Sequence, residues 1–324
     1  RHRKELKARD AWAELKPKNL VDRIILVILL LVFIYQALGC LLPATGQDEL
    51  TYHLTYPRQF LIANKIHCTP NIFHVNSPLN AHMLYLLSLS MGTEILCKLL
   101  QLSQWVFIVM IIIAWTRSIL PSAGYFAALL YLTPVASVYM RAPNEAGSDI
   151  PVAFWFALGF FFASKINRRH WLYWTVLAAA AAGFSWGTKY TALAFVTPPL
   201  VIFVLWQLYH AGIGLKKWFM GLGLFCLVIV ILFTRWMIKN GICTGNPIYP
   251  FLKSFIPTRQ PLHTIAERID QFEDEENFYL HYAQSLPPDE EPSLGGYFQA
   301  ALLAYRDIKV HWSSQEGDFF LALY

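Results

Sequence analysis

From Ile24 to Pro43 the sequence runs twenty residues without a charged side chain. As a helix this stretch covers about 30 Å, the thickness of the hydrocarbon core of a bilayer. More apolar runs follow at 93–116, 122–140, 149–164, 171–187, 190–209 and 218–238. A soluble domain has no way to bury so many. The low charge content agrees: 15% of the 324 residues are charged, against about 25% in soluble domains. The sequence therefore predicts an all-α polytopic membrane protein with about seven spans in a bundle over 24–238. The first run reads as a retained anchor, because the segment before it is too long and too charged for a signal peptide.

Charge sets the expected orientation. Residues 1–23 form a basic tail with eight Lys or Arg. With the N-terminus inside, the inner segments hold fourteen Lys and Arg and the short outer ones four, namely Arg58, Lys65, Arg141 and Lys189. The positive-inside rule favours that orientation. The tail also carries Trp12 and Leu15 and is expected to rest on the lipid of the cytoplasmic leaflet. The net charge of +5 does not point to nucleic acid, since the basic residues gather at span ends.

The loops divide by character. Residues 44–91 form a long outer loop, and within it 78–91 reads as a short interfacial helix opened by Pro78. Residues 239–316, rich in acids and prolines, read as an extracytoplasmic loop or subdomain. GDFFLALY, 317–324, reads as the opening of a further, truncated span. Cys40, Cys97 and Cys226 lie in apolar segments as small core residues. Cys68 and Cys243 both fall on the outer side and are read as two unpaired thiols, with a disulfide as the alternative.

The outer face also collects the ionisable residues that lie close to the membrane, which are costly there and point to function. The stretch GQDELTYHLTYPR, Gly46 to Arg58, follows the first span directly. As a helix it sets Asp48, Tyr52 and Tyr56 on one face and Glu49 and His53 on the next. Asp48 is the best candidate for a base that takes a proton from an alcohol as a bond forms, with Glu49 beside it and Tyr52 and His53 in support. The competing reading makes Asp48 and Glu49 helix caps. Asp149 opens the fourth span and has the same two readings, with Ser148 as a rival cap. Lys189, in GFSWGTKYTALAF, either snorkels or holds a lipid phosphate as a point charge. Arg58 and Arg141 are further phosphate candidates. Gly183 and Gly187 permit close approach of a phosphate or of a neighbouring helix. Glu94 and Lys98 are spaced to pair along one helix. His53, His67 and His74 match no zinc signature, so hydrogen bonding is the favoured role and no cofactor is assigned; a divalent metal stays open.

These local patterns together resemble the polytopic C-type (GT-C) glycosyltransferases, the group that includes protein O-mannosyltransferases and lipid A aminoarabinose transferases. The resemblance rests on the acid-x-x-x-Tyr loop at Asp48 to Tyr52, the NSP helix start at Asn76 to Pro78, Asp149 at the start of a span, the GTKYTA segment around Lys189 and the turn GNPIYPF. It covers about residues 20–255. It implies a GT-C-like helical bundle with interfacial helices in the first outer loop. It also implies an extracytoplasmic active site, a polyprenyl-phosphate sugar donor and inversion at the anomeric carbon. Asp48 inherits the role of base, Asp149 that of positioning the acceptor or the base, and Lys189 that of holding the phosphate. Two rivals remain. One is a non-catalytic subunit of a membrane complex built on the same fold, with other membrane chains as partners. The other is a transporter, disfavoured because the ionisable residues lie at span ends and the runs show no interrupted helix pairs.

Overall fold

The computed structural model describes residues 15–66, 74–138, 145–249, 251–252 and 255–256. All of these belong to one compact unit, 1–258. The tail before Leu15, His67, Cys68, Arg141, most of the expected outer region 239–316 and all of 317–324 lie outside the described residues. The described residues form helices: α1 Leu20–Cys40, α2 Thr55–Ala63, α3 Asn80–Ser90, α4 Ile95–Ile119, α5 Gly124–Val138, α6 Asp149–Ser164, α7 Trp171–Trp186, α8 Thr191–Phe195, α9 Thr197–His210 and α10 Leu215–Thr244. A wide helical turn, Glu49–His53, precedes α2. The chain is an all-α polytopic membrane protein. Among the described residues, four segments are long and apolar enough to cross a bilayer: α1, α4, α8 with α9, and α10. The shorter helices α5, α6 and α7 pack among them.

The boundaries depart from the sequence expectation where local signals were stronger than hydropathy. α1 starts at Leu20 rather than Ile24, because Asn19 accepts the amide of Asp22 at 2.8 Å and caps it. α3 starts at Asn80, two residues after Pro78. The sixth run is broken at Val196, since Pro198 and Pro199 lack the amides that would continue α8 into α9. The two segments together still cover one candidate span, Thr191–His210. α10 runs on to Thr244 and stops at Gly245, whose φ of 79° is the left-handed conformation that ends a helix. Lys239, expected in the outer loop, is therefore on a helix.

Small residues set the packing of the second half. Ala178, Ala179 and Ala182 of α7 are fully buried. A Cβ added at Gly183 would lie 2.9 Å from Leu232 of α10, and one at Gly159 would lie 2.8 Å from Leu200 of α9. Close backbone approach of this kind holds helices together in lipid, where burial of apolar surface gives no driving force. The close approach at Gly183 therefore serves a helix.

Contacts between helix ends sort into two groups. At one end, Lys98 donates to the carbonyl of Leu42, and Glu94 accepts from the amide of Ala44 at 3.2 Å. At that same end Lys189 meets Asp149, and Lys239 meets Asn76 at 3.4 Å. At the other end Arg117 pairs with Asp22 and donates to the carbonyl of Lys16 at 2.6 Å. The Tyr125 hydroxyl there donates to the carbonyl of Leu15 at 2.5 Å. The expected pairing of Glu94 with Lys98 does not form. Glu94 pairs with Arg58 at 3.3 Å instead, and Lys98 is taken up by the carbonyl of Leu42.

Cys243 is disulfide-bonded, whereas Cys40, Cys97 and Cys226 are free thiols. The reading of Cys243 as an unpaired thiol is thus corrected. Disulfides persist in oxidising compartments and are rare in reducing ones. Cys68 is the remaining one of the five cysteines of the sequence. Peptide mapping without reductant is expected to give one cross-linked pair joining the Cys243 and Cys68 peptides, and recovery of both as free thiols would refute it.

Candidate active site

The wide turn after α1 brings the loop acids to the end of the bundle. Leu54 donates to the carbonyl of Glu49 at 2.9 Å, a five-residue step instead of four, and the Thr55 hydroxyl takes up the carbonyl of Leu50. Such widened turns recur at functional sites. Asp48 precedes the turn and makes no side-chain capping bond. It is exposed, and its carboxylate accepts a hydrogen bond from the Tyr52 hydroxyl. The pairing of Asp48 with Tyr52 survives the change of helix type, and capping is not what Asp48 does.

Tyr52 is the centre of an aromatic group. Its ring stacks on His74 with centroids 4.0 Å apart and 13° between planes, and tilts against His53 at 4.2 Å. Burial first, then the bond and charge of Asp48, push the Tyr52 phenol up, so it keeps its proton and donates. His53 is buried, and its Nδ1 lies 3.1 Å from Nε2 of His82 in α3. Burial and then the charge of Lys189 lower His53 to about 3. Burial likewise lowers His82 and His74. At neutral pH the buried pair is uncharged, with one proton shared between the two facing nitrogens.

Lys189, between α7 and α8, donates from Nζ to Asp149 Oδ1 at 2.6 Å. Asp149 is the first residue of α6, and Ser148 before it makes no side-chain capping bond. The charge of Asp149 reaches Tyr52, and that of Lys189 reaches His53 and His74. Asp48, Tyr52, His53, Asp149 and Lys189, separated in sequence by up to 141 positions, thus form one neighbourhood at one end of the bundle.

Two further sequence candidates sit elsewhere in that end. Glu49 is 2% exposed. Its carboxylate accepts from the amides of Ala146 at 2.8 Å and Gly46 at 3.4 Å, and burial raises it against these donors. It fastens the loop to the start of α6 and does not cap the turn that it opens. Arg58 is engaged by Glu94 at the start of α4. Arg141 lies outside the described residues.

The sequence reading missed a polar hub next to this group. The Asn80 amide nitrogen donates to Gly187 O at 2.7 Å and its Nδ2 to Phe184 O at 3.0 Å. Its Oδ1 accepts from Arg235 at 2.6 Å and from Trp236 at 2.9 Å. A Cβ at Gly187 would lie 2.1 Å from Asn80 Nδ2, so this glycine makes room for a side chain rather than a phosphate. One turn further along α10, Lys239 donates to the carbonyl of Val75 and to Asn76. Its charge is felt at His82. Arg235 and Lys239 add two cations, four residues apart on one helix face, to the site end. A charged residue near the end of an apolar run was the available signal.

Residues 78–236 match the model of a family described as dolichyl-phosphate-mannose-protein mannosyltransferase. The matched stretch contains Asn80, Asp149, Lys189 and Arg235, and it begins after Asp48. No curated protein and no solved structure matches the chain.

Proposed function

We propose that this protein, whose residues 78–236 match the family described as dolichyl-phosphate-mannose-protein mannosyltransferase, moves a sugar from a polyprenyl-phosphate donor to an acceptor hydroxyl at the extracytoplasmic membrane face. The observation that carries the reading is the single neighbourhood of Asp48, Tyr52, Asp149 and Lys189 at one end of the bundle. Asp48 takes the proton of the acceptor hydroxyl as its oxygen attacks the anomeric carbon. The bond from that carbon to the phosphate oxygen breaks with inversion, and the phosphate leaves with the electron pair. Tyr52 aims the carboxylate, and the stacked His74 and buried His53 hold the phenol in place. Lys189 meets the leaving phosphate, with Arg235 and Lys239 as further cations at that end. Fixed positive groups facing a developing anion supply a large part of such a barrier reduction. The proposal assigns no metal. In this reading the spans number about seven, the N-terminus is cytoplasmic and the prenyl tail lies in lipid between helices.

The test is transfer by the full chain in vesicles, with a radiolabelled polyprenyl-phosphate sugar and a hydroxyl acceptor. Product of inverted anomeric configuration is expected. Absence of any transfer or donor hydrolysis across a panel of such donors would favour the non-catalytic subunit. Lys189→Gln is expected to weaken donor binding about ten- to hundredfold, the range for a lost hydrogen bond to a charged group. An unchanged KM for donor would remove Lys189 from the phosphate site.

A further inference from the structure

Lys189 already holds an anion. Its Nζ is bonded to Asp149 Oδ1 at 2.6 Å, and the two side chains stay open to solvent, at 40% and 66% exposure. The side-chain hydrogen bond that Asp149 makes runs to Lys189. The charge of Asp149 also reaches Tyr52, the partner of Asp48. A carboxylate thus sits on the ammonium to which the glycosyltransferase reading assigns a phosphate. An ammonium has no fixed fork geometry, so it accepts either anion.

Resting on that reading, we propose that Asp149 is a placeholder for the donor phosphate, occupying Lys189 in the empty protein and displaced toward Asp48 and Tyr52 when a donor binds. Exposed ion pairs are weak, so the exchange costs little. While the site is empty, the pair keeps Lys189 oriented and compensates its charge. Once the phosphate has taken Lys189, the released negative charge lies beside Asp48. Proton transfer from an acceptor hydroxyl onto Asp48 is then favoured, so donor occupancy and readiness of the base are coupled.

The proposal predicts a gain of binding on removing an acidic side chain. The probe is a polyprenyl phosphate without sugar, titrated against the full chain in phosphatidylcholine vesicles. Asp149→Asn is expected to bind it about 1.4- to 5-fold more tightly than the unaltered protein, the factor for releasing one exposed ion pair. Asp149→Ser is expected to do the same, since the charge and not the shape is the competitor. In turnover, Asp149→Asn is expected to lower both KM for donor and kcat. With Lys189→Gln in the background, Asp149→Asn is expected to give no further tightening. Unchanged or weaker binding by Asp149→Asn and Asp149→Ser would overturn the placeholder while leaving the donor reading in place. So would equal tightening with and without Lys189. Failure of the unaltered protein and every variant to bind the probe would overturn the donor reading and the placeholder together.

Discussion

Asp48→Asn is expected to lower sugar transfer about 10²- to 10⁴-fold, the usual contribution of a positioned general base. The amide keeps the size of the side chain and can still accept from Tyr52, but it cannot take a proton. Asp48 is exposed and makes no capping bond, so insertion, thermal stability and donor binding should stay close to those of the unaltered protein. The comparison that gives the result meaning is Glu49→Gln. Its carboxylate is buried on the amides of Ala146 and Gly46, so that change should appear first as lost stability of the outer loop. Full transfer by Asp48→Asn would take Asp48 out of the chemistry. A collapse in stability would instead assign it to the scaffold.

The largest effect on stability is expected at the opposite end. Arg117 is fully buried and pairs with Asp22, whose side chain is 4% exposed. Arg117 also donates to the carbonyl of Lys16 at 2.6 Å and lies over the Tyr125 ring, 4.7 Å from its centroid. Asp22 in turn accepts the amide of Lys18 at 2.9 Å. Asp22→Ala strands a buried guanidinium, and breaking one side of a buried pair costs about 3–5 kcal/mol. The protein in detergent should unfold at a clearly lower temperature, with transfer per folded molecule little changed. Asp22→Asn/Arg117→Met should recover part of the loss, because removing both charges avoids the uncompensated one. A melting temperature unaffected by Asp22→Ala would show that water reaches Arg117 and that the pair is not a buried one.

Neither effect could be graded from the sequence. Arg117 counted there as one more inner cation, although its charge is balanced within the protein by a residue 95 positions away. Glu94 and Lys98 show the same limit from the other direction. Their spacing on α4 permits a pair, yet Arg58 and the carbonyl of Leu42 claim them. Asp48 and Tyr52 were legible because they are four residues apart and their contact is made within one turn. Asn80, Arg235 and Lys239 were not, because each is one polar residue in or beside an apolar run until α3, α7 and α10 converge.

Hydropathy alone determined that the chain is a bundle of membrane helices, and charge asymmetry alone proposed its direction. Both follow from transfer free energies that act on each segment separately, so no knowledge of neighbours is needed. Which carboxylate is exposed beside a phenol, which is packed and which is held by Lys189 was decided only by the tertiary structure. Asp48, Glu49 and Asp149 have the same functional group and nearly the same intrinsic chemistry. They differ in the amides, phenol and ammonium that the fold brings to each.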